Sequence, residues 1–242
     1  MAEKKFNGLL VKAVNYGERD KIITVFTLEE GLISAKIKGV KKSDAKLKFA
    51  SEPFCFSEYI MSSSNGRNTV TGASLHDGFY PIREKLTAYY AGCVILEFIR
   101  EFCMEGETYP ALFVLATKTL EKLAYTDSNC LETLIEFLIL ALKEVGYGLD
   151  TKTCVCCNSN IDGRVFFEPS SGGFLCLECI GEVAMEISKT TYSILKSIEE
   201  NGFSPDVDEK EKYLKRALKL IDFYIGDRVN IRIKALKDLI DL

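Results

Sequence analysis

The first 80 residues alternate hydrophobic and polar side chains in short stretches, which glycine or polar residues separate. Alternation with a period of two is typical of β-strands, because successive side chains point to opposite faces of a sheet. The pattern predicts five strands, at about residues 8–16, 21–28, 32–40, 53–61 and 68–74. Five short strands at this spacing predict a small barrel.

The third predicted strand shows the alternation most clearly. One face is apolar and should pack into the barrel, and the other face is polar and should meet water. The apolar positions are Ile33, Ala35 and Ile37, and the polar positions are Ser34, Lys36 and Lys38.

After Pro81 the hydrophobic positions recur with the period of an α-helix. They predict helices at about 83–104, 109–125, 129–146, 188–200 and 208–225, then a short amphipathic tail. The first helix should be largely buried, Leu86 and Tyr89 included. Asn129 or Ser128 should cap the third helix. The tail residues that share one face are Ile233, Leu236, Leu239 and Ile240. The predicted fold class is α+β, with a barrel domain at 1–80 and a helical domain at 81–242.

Four cysteines interrupt the helical pattern as two Cys-x-x-Cys pairs, Cys154/Cys157 and Cys176/Cys179, with eighteen residues between the pairs. Each such turn presents two thiolates to one point, and four thiolates complete the coordination shell of zinc. Because all four positions are filled by protein, the expected metal is one structural zinc ion. Cys156 lies between two ligands and is interpreted as a free thiol.

The segment between the cysteine pairs predicts a zinc ribbon at about residues 150–182, inserted in the helical domain. Val165–Phe167 reads as a strand, Ser170–Gly173 as a glycine turn, and Phe174-Leu175 as a returning strand. Two alternatives are a redox dithiol and four unrelated buried cysteines.

Composition indicates the compartment. Nine cysteines without a secretory leader favour a reducing cytosol, where thiols stay free or bind metal. No apolar run approaches the roughly 18 residues of a membrane span. We therefore expect a soluble cytoplasmic protein with no membrane partner.

The net charge of −4 argues at first against a nucleic-acid partner, but its distribution does not. Residues 1–80 hold twelve Lys and Arg against nine Asp and Glu, whereas residues 81–242 hold 19 against 26. Positive charge peaks between residues 34 and 48, which is the kind of surface an oligonucleotide/oligosaccharide-binding barrel (OB-fold) uses to follow a phosphate backbone. The lysines are Lys36, Lys38, Lys41, Lys42, Lys46 and Lys48. The alternative is that they only protect an edge strand.

Four aromatic residues could stack on bases beside these lysines: Tyr16, Phe26, Phe49 and Tyr59. We favour the interpretation that they belong to the barrel core. His76, the only histidine, is interpreted as a hydrogen-bonded structural residue, and Glu18 and Asp20 as solvated turn residues. Cys55, Cys93, Cys103 and Cys130 lie in apolar contexts and read as small core residues.

Four groups of segments are informative as a set, although no single one is. They are Val14–Ile22 with Phe26-Thr27 and Glu30–Leu32; Lys38–Ser43; Leu142–Tyr147 leading into Cys154–Cys157; and Phe167 with Gly172–Cys179. Together they resemble the RecO recombination-mediator family of bacterial DNA repair. One departure is Asn158, where many relatives have glycine after the second cysteine. Asparagine also tolerates positive φ, so this turn should form. The C-terminal segment Tyr224–Lys237 follows the family only loosely.

The resemblance implies an N-terminal OB-fold, a C-terminal helical domain that carries zinc, and no enzymatic activity. It implies binding of single- and double-stranded DNA, annealing of complementary strands, and loading of RecA, together with RecR, onto DNA coated by single-strand-binding protein. The helical domain would engage the acidic C-terminal tail of that coat protein. The family's zinc ligands match Cys154, Cys157, Cys176 and Cys179, and its basic loop matches Lys38, Lys41 and Lys42. Arg100 is the candidate chosen for the tail site.

Two other functional hypotheses remain. The ribbon could contact nucleic acid in an RNA-binding or transcription-associated protein, although residues 158–175 contain only Arg164 as a cation. Alternatively, Cys156 or a ligand pair could act as a redox switch.

Overall fold

The structure, a computed structural model, describes residues 3–242. The chain divides into two compact units, of which the first ends at Thr126 and the second begins at Asp127. The first two helices therefore belong to the same unit as the barrel. The domain boundary near residue 80 stays a prediction from the sequence pattern.

The first unit contains a closed barrel of five strands in the order β1-β2-β3-β5-β4, closed by the pairing of β4 with β1. Four of the five pairings are antiparallel, and β3 runs parallel to β5. The strands are β1 (Glu3–Tyr16), β2 (Asp20–Thr27), β3 (Gly31–Ile37), β4 (Phe56–Ser64) and β5 (Arg67–Asp77). The predicted OB-like barrel is confirmed.

Alternation along the strands builds the barrel core. In β3 the predicted apolar residues Ile33, Ala35 and Ile37 are buried, whereas Ser34 is exposed and Lys36 is half-buried. Each large apolar side chain buried in this way contributes on the order of 2 kcal/mol to folding. The strand ends at Ile37, earlier than predicted, and the chain turns through Gly39 at φ +71°.

Two helices pack on this barrel, α1 (Leu86–Phe102) and α2 (Pro110–Tyr125). The Phe113 ring lies 5.6 Å from Phe26 and 5.9 Å from Phe56, measured between ring centroids. The prediction of a largely buried first helix was wrong at its beginning, where Leu86 is 61% exposed and Tyr89 is also exposed. The core of the first unit lies against the later turns of α1.

The second unit is built on four helices: α3 (Cys130–Glu144), α4 (Lys189–Asn201), α5 (Lys210–Val229) and α6 (Lys234–Asp241). The Asn129 side chain caps α3, as predicted, by accepting hydrogen bonds from the N–H groups of Leu131 and Glu132 at 2.9 and 3.3 Å. The predicted apolar face of the tail is buried, with Ile233, Leu236, Leu239 and Ile240 all inside.

A small sheet lies between α3 and α4 in the chain, which confirms the predicted insertion. It contains β6 (Val165–Glu168), β7 (Gly173–Leu175) and β8 (Met185–Ile187), with β6 in the centre. The first two strands and their turn were predicted, but β8 was not. Phe167 and Phe174 pack between the sheet and the helices, with ring centroids 5.2 Å apart.

Candidate metal centre and nucleic-acid interface

The two Cys-x-x-Cys turns come together at the edge of the small sheet. The sulfur atoms of Cys154, Cys157, Cys176 and Cys179 all lie within 4.8 Å of one another. The Sγ atoms of Cys157 and Cys176 are 3.8 Å apart. Four sulfurs arranged tetrahedrally at about 2.3 Å from one zinc ion would lie about 3.8 Å apart. The four cysteines could therefore hold a metal ion.

Backbone hydrogen bonds shape the first turn. The N–H of Asn158 donates to the Cys154 carbonyl at 2.8 Å, and the N–H of Cys154 donates to the Ser159 carbonyl at 2.9 Å. Asn158 has φ +59°, the left-handed conformation that was predicted for this position from the sequence. Asparagine adopts this region at lower cost than most residues, so the turn keeps its form without glycine.

The first turn also favours the thiolate form of its cysteines. Hydrogen bonding from the side chain and backbone of Ser159 lowers the pKa of Cys157 to about 6. Burial by itself would raise the pKa of Cys154, but N–H groups of Cys157, Cys176 and Cys156 outweigh it and lower that pKa. Because the thiolate is the species that binds metal, these donors suit a metal-ligating role. Cys156 is exposed and lies outside the group of four.

The lysine-rich segment forms the loop that follows β3. Lys38, Lys41, Lys42, Lys46 and Lys48 are all exposed on this loop. The loop is tied to the barrel, because the N–H of Gly39 donates to Asp20 Oδ1 at 2.9 Å and the N–H of Lys41 donates to the Arg19 carbonyl at 3.1 Å. Its five cations are thus presented from an anchored segment of backbone.

Lys36 differs from the loop lysines because it already has two partners. Its ammonium nitrogen is 2.8 Å from Asp20 Oδ2 and 4.7 Å from the centroid of the Tyr16 ring. The hydrogen bond from Lys36, followed by that from the N–H of Gly39, lowers the pKa of Asp20. Asp20 therefore holds Lys36 and the loop at once, and is more than a solvated turn residue.

Tyr16 corrects the interpretation of the four aromatic residues as barrel core. Phe26 and Tyr59 are fully buried and Phe49 is half-buried, as core residues should be, but Tyr16 is 52% exposed. Tyr16 is the last residue of β1 and pairs with Asp20, the first residue of β2, at the end of the β1–β2 hairpin. Its ring is accessible to a ligand.

Two more apolar side chains share this outer surface. Val14 pairs with Ile22 in the β1–β2 register, and Ile22 pairs with Lys36 in the β2–β3 register. Val14 is 50% exposed and Ile22 is 37% exposed. Sequence reasoning missed both, although their alternation with polar neighbours could have suggested an exposed apolar row. The outer barrel face combines Val14, Tyr16 and Ile22 with Lys36, and we call these four residues the hairpin patch.

Arg100 lies on α1, beside β1. Its guanidinium donates a hydrogen bond to the Val11 carbonyl at 3.1 Å, and Glu97 is 3.9 Å away. It lines a groove of about 480 Å³ in the first unit, together with Lys12 and Lys21. The groove walls also include apolar side chains, Leu10, Leu96 and Tyr89. Glu97 lines the groove too, but three cations against one carboxylate leave it positive, and with its apolar wall it suits an anionic ligand with an apolar part.

The remaining candidates have structural roles. His76 Nε2 is hydrogen-bonded to Asn7 Oδ1 at 3.0 Å, and its ring lies 4.8 Å from Phe56, which confirms the structural interpretation. Cys55 and Cys103 are buried, whereas Cys93 and Cys130 are only half-buried.

Among the helices the structure describes, none is both long and apolar enough to cross a membrane.

These features define a class of protein: an OB-like barrel with a cationic loop, followed by helices that carry a cluster of four cysteines able to hold a metal ion. Family comparison agrees, because the family models "Recombination protein O N terminal" and "Recombination protein O C terminal" match residues 1–79 and 83–237. The chain belongs to the RecO family of DNA repair proteins.

Curated relatives span nearly the same length. The chain is 28% identical over 230 residues to the DNA repair protein RecO of Acetivibrio thermocellus, which covers 89% of this chain and 92% of the relative. It is 30% identical over 204 residues to that of Dehalococcoides mccartyi, covering 83% and 79%. It is 27% identical over 240 residues to that of Bacillus pumilus, covering 96% and 92%.

Proposed function

We propose that this chain is a non-enzymatic DNA-binding recombination mediator, which binds single- and double-stranded DNA and anneals complementary strands. The observation that carries the proposal is the outer barrel face, where the hairpin patch adjoins the five exposed loop lysines. Cations bind phosphates, and the exposed Tyr16 ring supplies a stacking surface that accepts any base. The proposed phosphate contacts are Lys36, Lys38, Lys41, Lys42, Lys46 and Lys48.

Annealing follows from charge neutralisation. Two complementary strands repel each other through their phosphates, and a cationic surface that neutralises part of this charge lowers the barrier to pairing. Base contacts through a single exposed ring are sequence-tolerant, so they need not select between strands. The protein would therefore accelerate pairing without a covalent step.

The proposed partners are those of the RecO family. With RecR, the protein would help to load RecA onto DNA coated by single-strand-binding protein, in the cytoplasm at the nucleoid. The groove around Arg100 supports capture of the acidic C-terminal tail of that coat protein, because Lys12, Lys21 and Arg100 offer cations beside an apolar wall. This assignment makes Arg100 a partner-binding residue.

We propose one structural zinc ion, bound by Cys154, Cys157, Cys176 and Cys179. The donor set and the 3.8 Å separation of two of its sulfurs support zinc, which prefers four thiolates in structural sites. The two cysteine turns are mostly exposed and bury little surface of their own. Metal binding would supply the missing stability.

The predicted zinc ribbon, at about residues 150–182, is a poor nucleic-acid surface by comparison with the outer barrel face. Arg164, the one cation between residues 158 and 175, is bound by Glu186, whose Oε1 accepts a hydrogen bond from Arg164 Nε at 2.8 Å. This pairing leaves no uncompensated cation between residues 158 and 175. It weighs against the alternative of an RNA-binding or transcription-associated zinc ribbon.

The test is fluorescence-detected annealing of complementary oligonucleotides by the full chain. The loop variant Lys38→Glu/Lys41→Glu/Lys42→Glu is compared with a control of equal charge change, Lys85→Glu/Lys118→Glu/Lys234→Glu. We expect annealing to be lost in the loop variant and kept in the control, with both proteins folded. Equal loss in the two variants, or no annealing by the unaltered protein, would contradict the proposal.

A further inference from the structure

A second cationic surface lies in the unit that begins at Asp127, along one face of α5. Side chains three or four residues apart on a helix are neighbours, and Lys212, Lys215, Arg216 and Lys219 follow this spacing. We call these four residues the α5 stripe. From Lys212 to Lys219 the helix rises about 10 Å, so the stripe is a row of cations rather than a single charge.

Two members of the stripe have exposed carboxylate partners. Lys212 is 2.7 Å from Glu209, and Lys215 is 3.4 Å from Glu211. The side chains of both glutamates are more than half exposed. Such pairs are weak and exchange readily with another anion, because water screens them.

Within residues 3–242 the other two members are not held in ion pairs, although Glu209 interacts with Arg216 at longer range. Within the described part of the chain, neither Arg216 nor Lys219 forms an ion pair. Both are exposed, and the Arg216 guanidinium lies 5.2 Å from the centroid of the Tyr213 ring. An anion would reach these two cations without first displacing a paired carboxylate.

A cavity of about 310 Å³ opens beside Arg216 and Lys219. Its other lining residues include four apolar side chains, Met185, Ile187, Leu220 and Phe223. A second open cavity of about 430 Å³ shares Arg216 and Lys219 and continues along the stripe. Glu186 also lines the first cavity, but Arg164 compensates its charge.

Two side chains in the first cavity point to a ligand that is both flat and polar. Phe223, one helical turn beyond Lys219, is 45% exposed. Thr191 is only 2% exposed, and its hydroxyl has no hydrogen-bond partner among the groups that the structure describes. A buried hydroxyl normally has a partner, so this one is available to a ligand atom in the cavity.

We propose that the α5 stripe and its cavity bind a second single strand of nucleic acid. Arg216 and Lys219 contact its phosphates, a base stacks on Phe223, and the Thr191 hydroxyl bonds to the edge of that base. The inference rests on the proposed function, since annealing brings two strands to one protein. A row of cations with an exposed ring favours a nucleic-acid strand, because phosphates repeat along the strand with a base at each one.

The test is simultaneous binding of two strands by the full chain. Oligothymidylates labelled with a donor or an acceptor fluorophore cannot pair with each other, so energy transfer between them reports that one protein particle holds both. The stripe variant Arg216→Gln/Lys219→Gln is compared with Arg232→Gln/Lys234→Gln, which removes the same charge beside and within α6. We expect the affinity for bridging two strands to be about tenfold lower in the stripe variant than in the unaltered protein. Its affinity for a first strand should change by less than about twofold.

A second variant removes no charge. Thr191→Val deletes the orphan hydroxyl and keeps the side-chain shape, so the fold is kept. We expect bridging to weaken by about two- to fivefold while first-strand binding is unchanged.

The outcomes separate this inference from the proposed function. If the unaltered protein binds one strand but does not bridge two, or if the stripe variant bridges normally, the inference is wrong and the proposed function stands. If an acidic peptide binds the unaltered protein but not the stripe variant while bridging persists, the surface belongs to a peptide and the inference is again wrong. If the unaltered protein binds no strand, the proposed function fails, and this inference with it.

Discussion

Asp20 and Lys36 form an ion pair across β2 and β3, with 2.8 Å between Oδ2 and Nζ. The other carboxylate oxygen of Asp20 accepts the N–H of Gly39 at 2.9 Å, at the start of the cationic loop. One acidic residue thus organises this basic surface and neutralises part of it. The pair is half-exposed, so its main effect should be on the position and charge of Lys36 rather than on stability.

The substitution Asp20→Asn should therefore tighten DNA binding. The amide oxygen of the new side chain could still accept the N–H of Gly39, but the loss of the carboxylate would release the Lys36 charge. We expect affinity for a single-stranded oligonucleotide to rise about two- to fivefold at low salt, with a log–log salt slope steeper by about 0.7. Fluorescence anisotropy over a salt series measures both quantities. Unchanged affinity and slope would mean that Lys36 does not contact the phosphates.

The salt dependence of the unaltered protein should count its phosphate contacts. Four to six contacts to a single strand predict a slope of about −3 to −4. The variant Lys38→Ala/Lys41→Ala/Lys42→Ala should flatten this slope by about 2, since each lost contact removes about 0.7. An unchanged slope in the folded variant would exclude the loop as the DNA surface.

Tyr16 should contribute through its ring and not through charge. Tyr16→Ala should weaken binding of oligothymidylate by about 1–3 kcal/mol, the usual value for one stacked base. Tyr16→Phe keeps the ring and serves as the matched control, with affinity close to the unaltered protein. The salt slope should be the same in all three proteins. A loss of affinity in Tyr16→Phe as large as in Tyr16→Ala would assign the effect to the hydroxyl instead.

The metal centre should contain one zinc ion per chain, measured by inductively coupled plasma mass spectrometry. Cys176→Ser should lose the ion and lower the melting temperature, because structural zinc supplies about 10–16 kcal/mol of apparent binding energy in small peptides. Cys156→Ser should keep both zinc and stability, since Cys156 lies outside the ligand set. Equal zinc loss in the two variants would contradict this ligand assignment.

Glu132 should make stability depend on pH in the acid range. Its carboxylate is 2.7 Å from Lys210 and accepts the N–H of Ser204 at 3.2 Å. Burial opposes ionisation, but these partners outweigh it and lower the pKa of Glu132 in the folded protein.

A lowered folded pKa stabilises the protein above the unfolded value of about 4.3, and this contribution is lost as pH falls through the folded pKa. Glu132→Gln should cost about 1–3 kcal/mol in urea unfolding at pH 7, because the buried groups lose a charged acceptor. The difference from the unaltered protein should shrink toward pH 3. A difference that stays constant from pH 7 to pH 3 would assign the cost to packing.

Much of the fold could be predicted because its periodicity is local. The alternation of Ile33, Ala35 and Ile37 predicted which face of β3 is buried, and Asn129 marked the beginning of α3. Tyr16 could not be placed in the same way. Alternation puts a residue on one face of a strand, but whether that face is covered depends on which distant parts of the chain pack against it, and Tyr16 is left exposed. Leu86 and Tyr89 were misplaced for a related reason, since a helical period does not show where the covering elements end.

The amino-acid sequence by itself determined the barrel, the helices, the cluster of four cysteines and the location of the cationic loop. These depend on residue types at short, regular spacings, which the chain carries wherever it folds. Only the tertiary structure decided that α1 and α2 belong with the barrel, that Asp20 holds Lys36, and that the Thr191 hydroxyl, at a cavity, has no partner within residues 3–242. Each of these depends on which surfaces meet across distant parts of the chain, and the free energy of such contacts leaves no periodic signal in the sequence.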